Sequence, residues 1–187
     1  MTVCAIVLAA GAGVRFGGPK GLARDADGRP WVATAVRTLR EAGCDPVIVV
    51  AGADADAVGA LVPLGAVVVT APDWADGLSA SVRAGLSAAA DTAAQSALLV
   101  PVDVPDLPAS ACLRVMAGAG PTSLRRARYR GEPGHPVLIG RDHWRAVSAE
   151  LTGDRGAGAY LRERGAGDVE CADLWHGHDV DRPVRRA

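Results

Sequence analysis

The stretch that decides the fold class is VCAIVLAAGAGVRFGGPK at 3–20. Its first part, 3–9, is a continuous apolar run with β-branched residues, which predicts a strand buried on both faces. The rest is a loop with glycines at 11, 13, 17 and 18, where the backbone can adopt positive φ. In an open α/β sheet ligands bind just outside the carboxyl ends of the strands, so this loop is the first candidate site.

Further apolar runs alternate with amphipathic segments along the first two thirds of the chain. The predicted strands lie at 46–51, 66–70 and 97–101, and the predicted helices at 30–43, 54–62, 79–90 and 108–118. This alternation predicts a mostly parallel sheet with helices on both faces, in a single domain over 1–187. After residue 120 the pattern predicts an arginine-rich exposed or edge strand at 123–130, a strand at 137–140, helices at 142–151 and 155–164, and a last strand near 168–172 or 178–181.

The composition excludes several classes of protein. The 187 residues are 49% apolar and 22% charged with a formal net charge of −1, which excludes disorder and argues against a cationic face for nucleic acid or membrane. No apolar run reaches the length of about 18 residues that a membrane span needs. The N-terminus has no basic start, and the four cysteines show no metal-ligand spacing. We therefore expect a reduced, cytoplasmic protein with no nucleic-acid or membrane partner.

The glycine loop does not match two familiar nucleotide-binding motifs. It begins like the dinucleotide fingerprint, but Phe16 occupies the third glycine position and no acidic residue closes the second strand. It also fails as an ATPase phosphate loop, because Pro19 precedes Lys20 and Gly21 stands where Ser or Thr should bind magnesium. Two interpretations remain: a purely structural loop, or a phosphate-binding glycine loop that carries two cationic side chains.

Those two cations are Arg15 and Lys20. Lys20 is the only lysine among 20 basic residues. Lysine is a compact point charge on a flexible stem, unlike the planar guanidinium of arginine. Backbone N–H groups of a glycine loop together with two such cations are suited to wrapping a triphosphate.

A second candidate site follows the fourth predicted strand, in the sequence VPVDVPD at 100–106. Asp103 stands just past an apolar strand with a proline on either side, which leaves it little conformational freedom. A fixed carboxylate is a good ligand for Mg²⁺, which prefers carboxylate and phosphate oxygens. The alternative is that Asp103 only caps the next turn, although Asp106 is better placed to cap the helix beginning at 108.

Several motifs together carry a resemblance to a known family. LAAGAGVRFGGPK at 8–20 resembles the LAAGxGxRxGxxK signature of nucleotidyltransferases. GLSASVRAGL at 77–86, GHPV at 134–137 and GDRGA at 153–157 resemble motifs of the molybdenum cofactor cytidylyltransferase group within the MobA-like NTP transferases. DVDRP at 179–183 is similar to that group's DIDTPED tail. The resemblance therefore extends over nearly the whole chain and implies a Rossmann-like three-layer α/β sandwich of the nucleotidyltransferase type.

The resemblance also implies an activity. A Mg²⁺-dependent enzyme of this group transfers CMP from CTP to the terminal phosphate of molybdopterin and releases pyrophosphate. Arg15 and Lys20 would hold the triphosphate, and Asp103 would hold Mg²⁺. A second metal ligand is expected near the C-terminus, where Asp181 matches best and Asp179 is the alternative. A molybdoenzyme or chaperone would be the protein partner.

The choice of base depends on fewer residues. Ala10 stands where guanylyl relatives commonly have glycine, and its Cβ leaves less room for a purine, so CTP is favoured over GTP. The segment 71–81 would line the base and ribose, with Ser79 or its neighbour also capping the following helix. The candidate nucleotide-binding and cofactor-binding residues are Leu8, Ala9, Ala10, Gly11, Gly13, Asp73, Gly77, Ser79, Ser81 and His135.

Two further features each have two interpretations. His135 lies between Gly134 and Pro136, a backbone that argues against a helix or a central strand, and it either faces the acceptor phosphate or is structural. The arginines at 125, 126, 128 and 130 either face an anionic acceptor or, as we favour, protect an edge strand from aggregation.

The chain departs from the family pattern at Phe16, where methionine is usual, and at Arg182, where threonine is usual. These departures bear on the acceptor more than on nucleotidyl transfer. The competing hypotheses are guanylyl transfer to the same cofactor, cytidylyl transfer to another phosphorylated small molecule, a non-catalytic module that binds nucleotide or cofactor, and a hydride-transfer enzyme.

Overall fold

The computed structural model describes residues 2–181, and these form one seven-stranded sheet. The strands are β1 (Val3–Ala9), β2 (Val47–Ala51), β3 (Val67–Thr70), β4 (Ser96–Pro101), β5 (Leu124–Tyr129), β6 (Glu132–Gly140) and β7 (Gly167–Glu170). Their order across the sheet is β3-β2-β1-β4-β6-β5-β7. Of these seven, β6 runs antiparallel to both neighbours, and the remaining pairings are parallel.

Helices cover both faces of the sheet, as the alternation of strands and helices predicts. They are α1 (Trp31–Glu41), α2 (Ala55–Gly59), α3 (Leu78–Ala90), α4 (Ala109–Met116), α5 (Trp144–Glu150) and α6 (Gly158–Glu163). Ala5 and Val7 of β1 pack with α1, α2 and α4 in one core, while Ile6 points to the opposite core with α3, α5 and α6. A strand buried on both faces is what the apolar run at 3–9 requires, so the α/β three-layer prediction is confirmed.

Register places the ends of β1 and β4 side by side. The two strands pair in parallel from Val3 with Ser96 to Leu8 with Pro101. Past the strand ends the main-chain N–H of Val102 still donates to the carbonyl of Leu8, at 3.1 Å. The glycine loop after β1 and the Asp103 segment after β4 therefore leave the sheet as neighbours.

The second half of the sheet corrects three predictions. β5 is not an edge strand, because β6 and β7 pair with it on either side, and Arg126 and Arg128 bind Asp168 of β7 at 2.6 and 2.9 Å. Among residues 2–181 the last strand is β7, so the alternative at 178–181 is wrong. β6 is longer than predicted and includes His135.

His135 therefore lies in a central strand, contrary to the sequence-based expectation. The reason is an irregularity in the β5–β6 pairing, which shifts register between Arg126 and Arg128. Arg126 pairs with Val137 and Arg128 pairs with Pro133, so residues 134–136 bulge between the two regular segments. The bulge leaves Pro136, which has no N–H to donate, outside the regular ladder.

Among residues 2–181 no helix has the length and apolarity needed to cross a membrane. All four cysteines are free and buried.

Candidate active site

The glycine loop after β1 folds back on the carbonyl of Gly13. That oxygen accepts the N–H groups of Phe16, Gly17 and Gly18 at 2.8, 2.9 and 3.2 Å. Gly13 has a φ of 60°, and a Cβ there would overlap the carbonyl oxygen of Gly18. Glycine is thus required at this position both for its backbone conformation and for the close approach of the loop to itself.

The loop delivers Lys20 to the carboxylates at the end of β4. Its Nζ donates to Asp103 Oδ2 at 2.8 Å and to Asp181 Oδ1 at 3.1 Å. The side chains of Lys20 and Asp103 are each 18% exposed, whereas that of Asp181 is 70% exposed. Burial alone lowers the pKa of the Lys20 ammonium, but the hydrogen bonds to the two aspartates outweigh it and raise that pKa above its ordinary value. The lysine is therefore a fixed cation at neutral pH.

Asp103 is held by the chain segment near the C-terminus. Its main-chain carbonyl accepts the N–H of Val180 at 2.8 Å, which brings Asp179 and Asp181 beside it. One carboxylate oxygen from each of the three aspartates lies within 4.8 Å of the others. Oδ1 of Asp103 is buried without a hydrogen-bond partner among residues 2–181.

This set of oxygens fits a hard divalent cation. Mg²⁺ binds one or two protein carboxylates and completes its shell with water and substrate phosphate. A buried carboxylate oxygen without a donor is otherwise costly, and a cation would satisfy it. The structure brings together both metal ligands predicted from the sequence, Asp103 and Asp181, and adds the alternative, Asp179.

Three adjoining cavities surround this point. The lysine cavity, of about 510 Å³, is lined by Ala9, Gly13, Arg15, Lys20, Asp103 and Asp181. The tryptophan cavity, of about 420 Å³, is lined by Ala10, Trp74, Gly77 and Ser81. The histidine cavity, of about 430 Å³, is lined by His135, Arg126 and Asp179. All three share Leu8 and Leu78, and the lysine and histidine cavities also share Asp103.

Most of the residues predicted from the sequence line these cavities, but two do not. Asp73 lies on a separate cavity, which it lines together with Arg83 and Ser87 of α3. Ser79 is fully buried inside α3, where Gly77 and not Ser79 is the N-cap residue. The N–H of Ser79 donates to the carbonyl of Gly153 at 3.0 Å, so it is not open to a ligand in this arrangement.

His135 and Arg15 both line these cavities, but His135 is partly buried and uncharged whereas Arg15 is exposed and charged. His135 Nδ1 is buried without a partner among the described residues, and burial lowers the pKa of the imidazole despite the nearby charges of Asp103 and Asp179. The ring is therefore neutral at pH 7. Arg15 is exposed at the lysine cavity and forms no hydrogen bond or ion pair with residues 2–181.

Sequence reasoning missed Asp154, which lines both the lysine and the tryptophan cavity. The sequence identifies the motif at 153–157, but nothing in its spacing predicts that it packs against the start of α3. The part of the tail motif at 182–183 lies outside the described residues.

Comparison with known proteins identifies the family of this chain. The profile of the MobA-like NTP transferase domain matches residues 5–169. The chain belongs to this family. It is 35% identical over 190 residues to the nicotine blue oxidoreductase of Paenarthrobacter nicotinovorans, covering 96% of this chain and 92% of that protein.

Solved structures of similar proteins show the same family fold. Rv0371c from Mycobacterium tuberculosis H37Rv superimposes with a TM-score of 0.82 at 28% identity, covering 97% of this chain and 93% of that one. A complex of Rv0371c with manganese gives 0.74 at 26% identity, covering 91% and 87%. A nucleotidyl transferase from Methanothermobacter gives 0.74, covering 90% and 87%, and at 24% identity it shows the fold alone.

Proposed function

We propose that this MobA-like NTP transferase moves CMP from CTP to the terminal phosphate of molybdopterin, with Mg²⁺ as cofactor and pyrophosphate as the second product. The observation that carries the proposal is the meeting of Lys20 with Asp103 and Asp181 beside the glycine loop. Family membership supports the nucleotidyl transfer, while the base, the acceptor and the metal are our inference.

The lysine cavity is the site for the triphosphate. The Lys20 ammonium has three N–H donors, of which two point to aspartates, so it can donate to a phosphate without leaving the carboxylates. Arg15, exposed and without a partner among residues 2–181, can turn toward the leaving pyrophosphate. Two cations on the leaving side stabilise the negative charge that develops there in the transition state.

Asp103 and Asp181 would hold Mg²⁺, with Asp179 close enough to contribute. When bound, the metal neutralises charge on the α-phosphate as it does generally in phosphoryl transfer. Asp103 is preorganised for this role because the β4 end, its flanking prolines and the Val180 hydrogen bond fix it. Little reorganisation free energy is therefore needed when metal and nucleotide bind.

The histidine cavity is the site for the acceptor. It joins the lysine cavity at Asp103, so an acceptor phosphate entering from that side meets the α-phosphorus of the nucleotide. Its oxygen forms the new P–O bond as the bond from the α-phosphorus to the bridging oxygen breaks and pyrophosphate leaves. The neutral ring of His135 lines this cavity and adds no charge beside the acceptor phosphate.

The tryptophan cavity would take the base. Ala10 lines it, and its Cβ occupies space that a glycine would leave for a purine, which favours CTP over GTP. A cytoplasmic location and a molybdoenzyme or chaperone that receives the product belong to the same proposal.

A second candidate, hydride transfer from a nicotinamide nucleotide to an organic acceptor, is favoured by one observation, the 35% identity to nicotine blue oxidoreductase. The local structure argues against it. A dinucleotide fold places pyrophosphate at the N-terminus of the helix that follows the glycine loop. Here the loop leads into a three-residue turn, Lys20–Leu22, and the next helix, α1, begins at Trp31.

The deciding experiment measures products and not binding alone. The pure chain is incubated with Mg²⁺, molybdopterin and CTP, GTP or ATP in turn, and products are identified by mass spectrometry, while NADH oxidation is followed in a parallel arm with a quinone-type dye. We expect a cytidylylated product and pyrophosphate only with CTP. A guanylylated product refutes the base assignment, NADH oxidation without nucleotidyl transfer refutes the reaction class, and CTP binding without any product supports the non-catalytic module.

A further inference from the structure

Asp154 is an exposed residue in the turn that lies beside the start of α3. Gly77 has a φ of 105°, and a Cβ on it would lie 2.5 Å from Asp154 Oδ1 and 2.6 Å from the carbonyl carbon of Gly153. Two residues after Asp154, a Cβ on Gly156 would lie 3.0 Å from Leu78 Cδ2. The hydrogen bond from Ser79 N–H to the carbonyl of Gly153 holds the backbone just before Asp154 next to α3.

That position lies between two parts of the proposed nucleotide site. The lysine and tryptophan cavities share five lining residues, and Asp154 is the one among them with a polar side chain. Lys20 and Asp103 line only the first of these two cavities, and Trp74 and Ser81 only the second. A nucleotide with its triphosphate at Lys20 and its base beside Trp74 therefore passes its sugar across Asp154.

The exposed carboxylate of Asp154 can accept hydrogen bonds from a ligand in these cavities. It is acceptor-only, and a neighbouring triphosphate repels it unless donors intervene. The ribose 2′- and 3′-hydroxyls offer two adjacent O–H donors, the arrangement that acidic residues bind in dinucleotide sites. We propose that Asp154 binds the ribose diol and selects ribonucleotides over 2′-deoxyribonucleotides. The inference rests on the proposed function, since it needs a nucleotide in these two cavities.

The selectivity has a definite expected size. A hydrogen bond between a hydroxyl and a charged group is worth enough to change affinity about 10-fold to 100-fold. We expect the wild-type chain to bind CTP more tightly than dCTP by a factor in that range. In Asp154→Ala the ratio falls to within about threefold. Affinity for dCTP itself rises in this variant, because the repulsion between carboxylate and phosphates is removed.

The experiment titrates the full chain with CTP and dCTP, and with GTP and dGTP, in the presence of Mg²⁺ by calorimetry. Asp154→Ala is compared with Asp154→Asn, which keeps one carbonyl acceptor in nearly the same volume and should give an intermediate ratio. Asp91→Asn, an exposed aspartate at the other end of α3, removes the same charge and should leave the ratio unchanged. Melting temperatures establish that each variant is folded.

The outcomes distinguish a failure of ribose recognition from a failure of the proposed function. A wild-type ratio near one, or a ratio unchanged in both Asp154 variants, refutes ribose recognition while leaving nucleotide binding intact. A change in the preference for CTP over GTP with the sugar ratio preserved assigns the carboxylate to the base and overturns the proposal. A chain that binds no nucleoside triphosphate refutes the proposed function and this inference with it.

Discussion

Replacing Lys20 by methionine tests how the cation and the acidic cluster depend on each other. The substitution keeps the length of the side chain but removes the donor that lies 2.8 Å from Asp103 and 3.1 Å from Asp181. The first bond joins two mostly buried groups and contributes about 1.5–3 kcal/mol. The second reaches a largely exposed carboxylate and contributes at most about 1 kcal/mol. We therefore expect Lys20→Met to lower the free energy of unfolding by about 2–3 kcal/mol without metal, since Asp103 and Asp181 lose the donor that they share.

In a chain of this size that loss corresponds to a fall of about 4–12 °C in melting temperature. Because the carboxylates stay in place, millimolar Mn²⁺ or Mg²⁺ should stabilise the variant more than the wild type, as a ligand bound only to the folded state does. Arg15→Met removes the same charge from the same loop and should change stability by less than about 0.5 kcal/mol. A Lys20→Met chain as stable as the wild type, or one indifferent to divalent metal, would refute the reasoning.

Three further predictions follow from single features of the fold. Asp103→Asn should leave CTP affinity within about tenfold but reduce pyrophosphate release by a factor of about 10³ or more, whereas the exposed neighbour variant Asp106→Asn should keep full turnover. Gly13→Ala should lose at least about 2 kcal/mol in urea unfolding, from its left-handed backbone and the overlap with the loop, while Gly11→Ala, whose Cβ meets open space, should lose less than about 1 kcal/mol. Burial raises the pKa of the thiol to about 11 for Cys4 and to about 12 for Cys44 and Cys112. The unfolded thiols lose their protons above about pH 8.5, whereas the folded ones keep them. The free energy of unfolding should therefore fall between about pH 8.5 and about pH 11, by up to about 1.4 kcal/mol per thiol per pH unit. A Cys112→Ala chain whose stability falls with pH as steeply as that of the wild type would contradict this.

The sequence predicts the parallel half of the molecule well because each strand there is buried on both faces. Runs such as 3–9 and 46–51 can bury the apolar side chains of both strand faces only between two layers of helices. The pattern therefore predicts a sheet covered by helices on both sides. The same logic brings the ends of β1 and β4 together and makes Lys20 and Asp103 neighbours, with an Nζ to Oδ2 distance of 2.8 Å.

The second half is less predictable because its features depend on register and on loops distant in sequence. The bulge that admits His135 to β6 exists only through the pairing with β5. The charged sequence of β5 is typical of an edge strand, but β7 pairs with it and Asp168 of β7 binds Arg126 and Arg128. The sequence predicts Ser79 as a helix cap, but its N–H donates to the carbonyl of Gly153, from a distant loop. No local pattern encodes that contact, and it is also what places Asp154.

The most direct test of the central claim is the position of Mn²⁺ in crystals grown with a non-hydrolysable CTP analogue, located by anomalous scattering. The account predicts one peak bound to carboxylate oxygens of Asp103 and Asp181 and to a phosphate oxygen, with the Lys20 ammonium on the same triphosphate. A triphosphate bound away from the glycine loop, or manganese found elsewhere on the chain while this carboxylate cluster holds none, would contradict it.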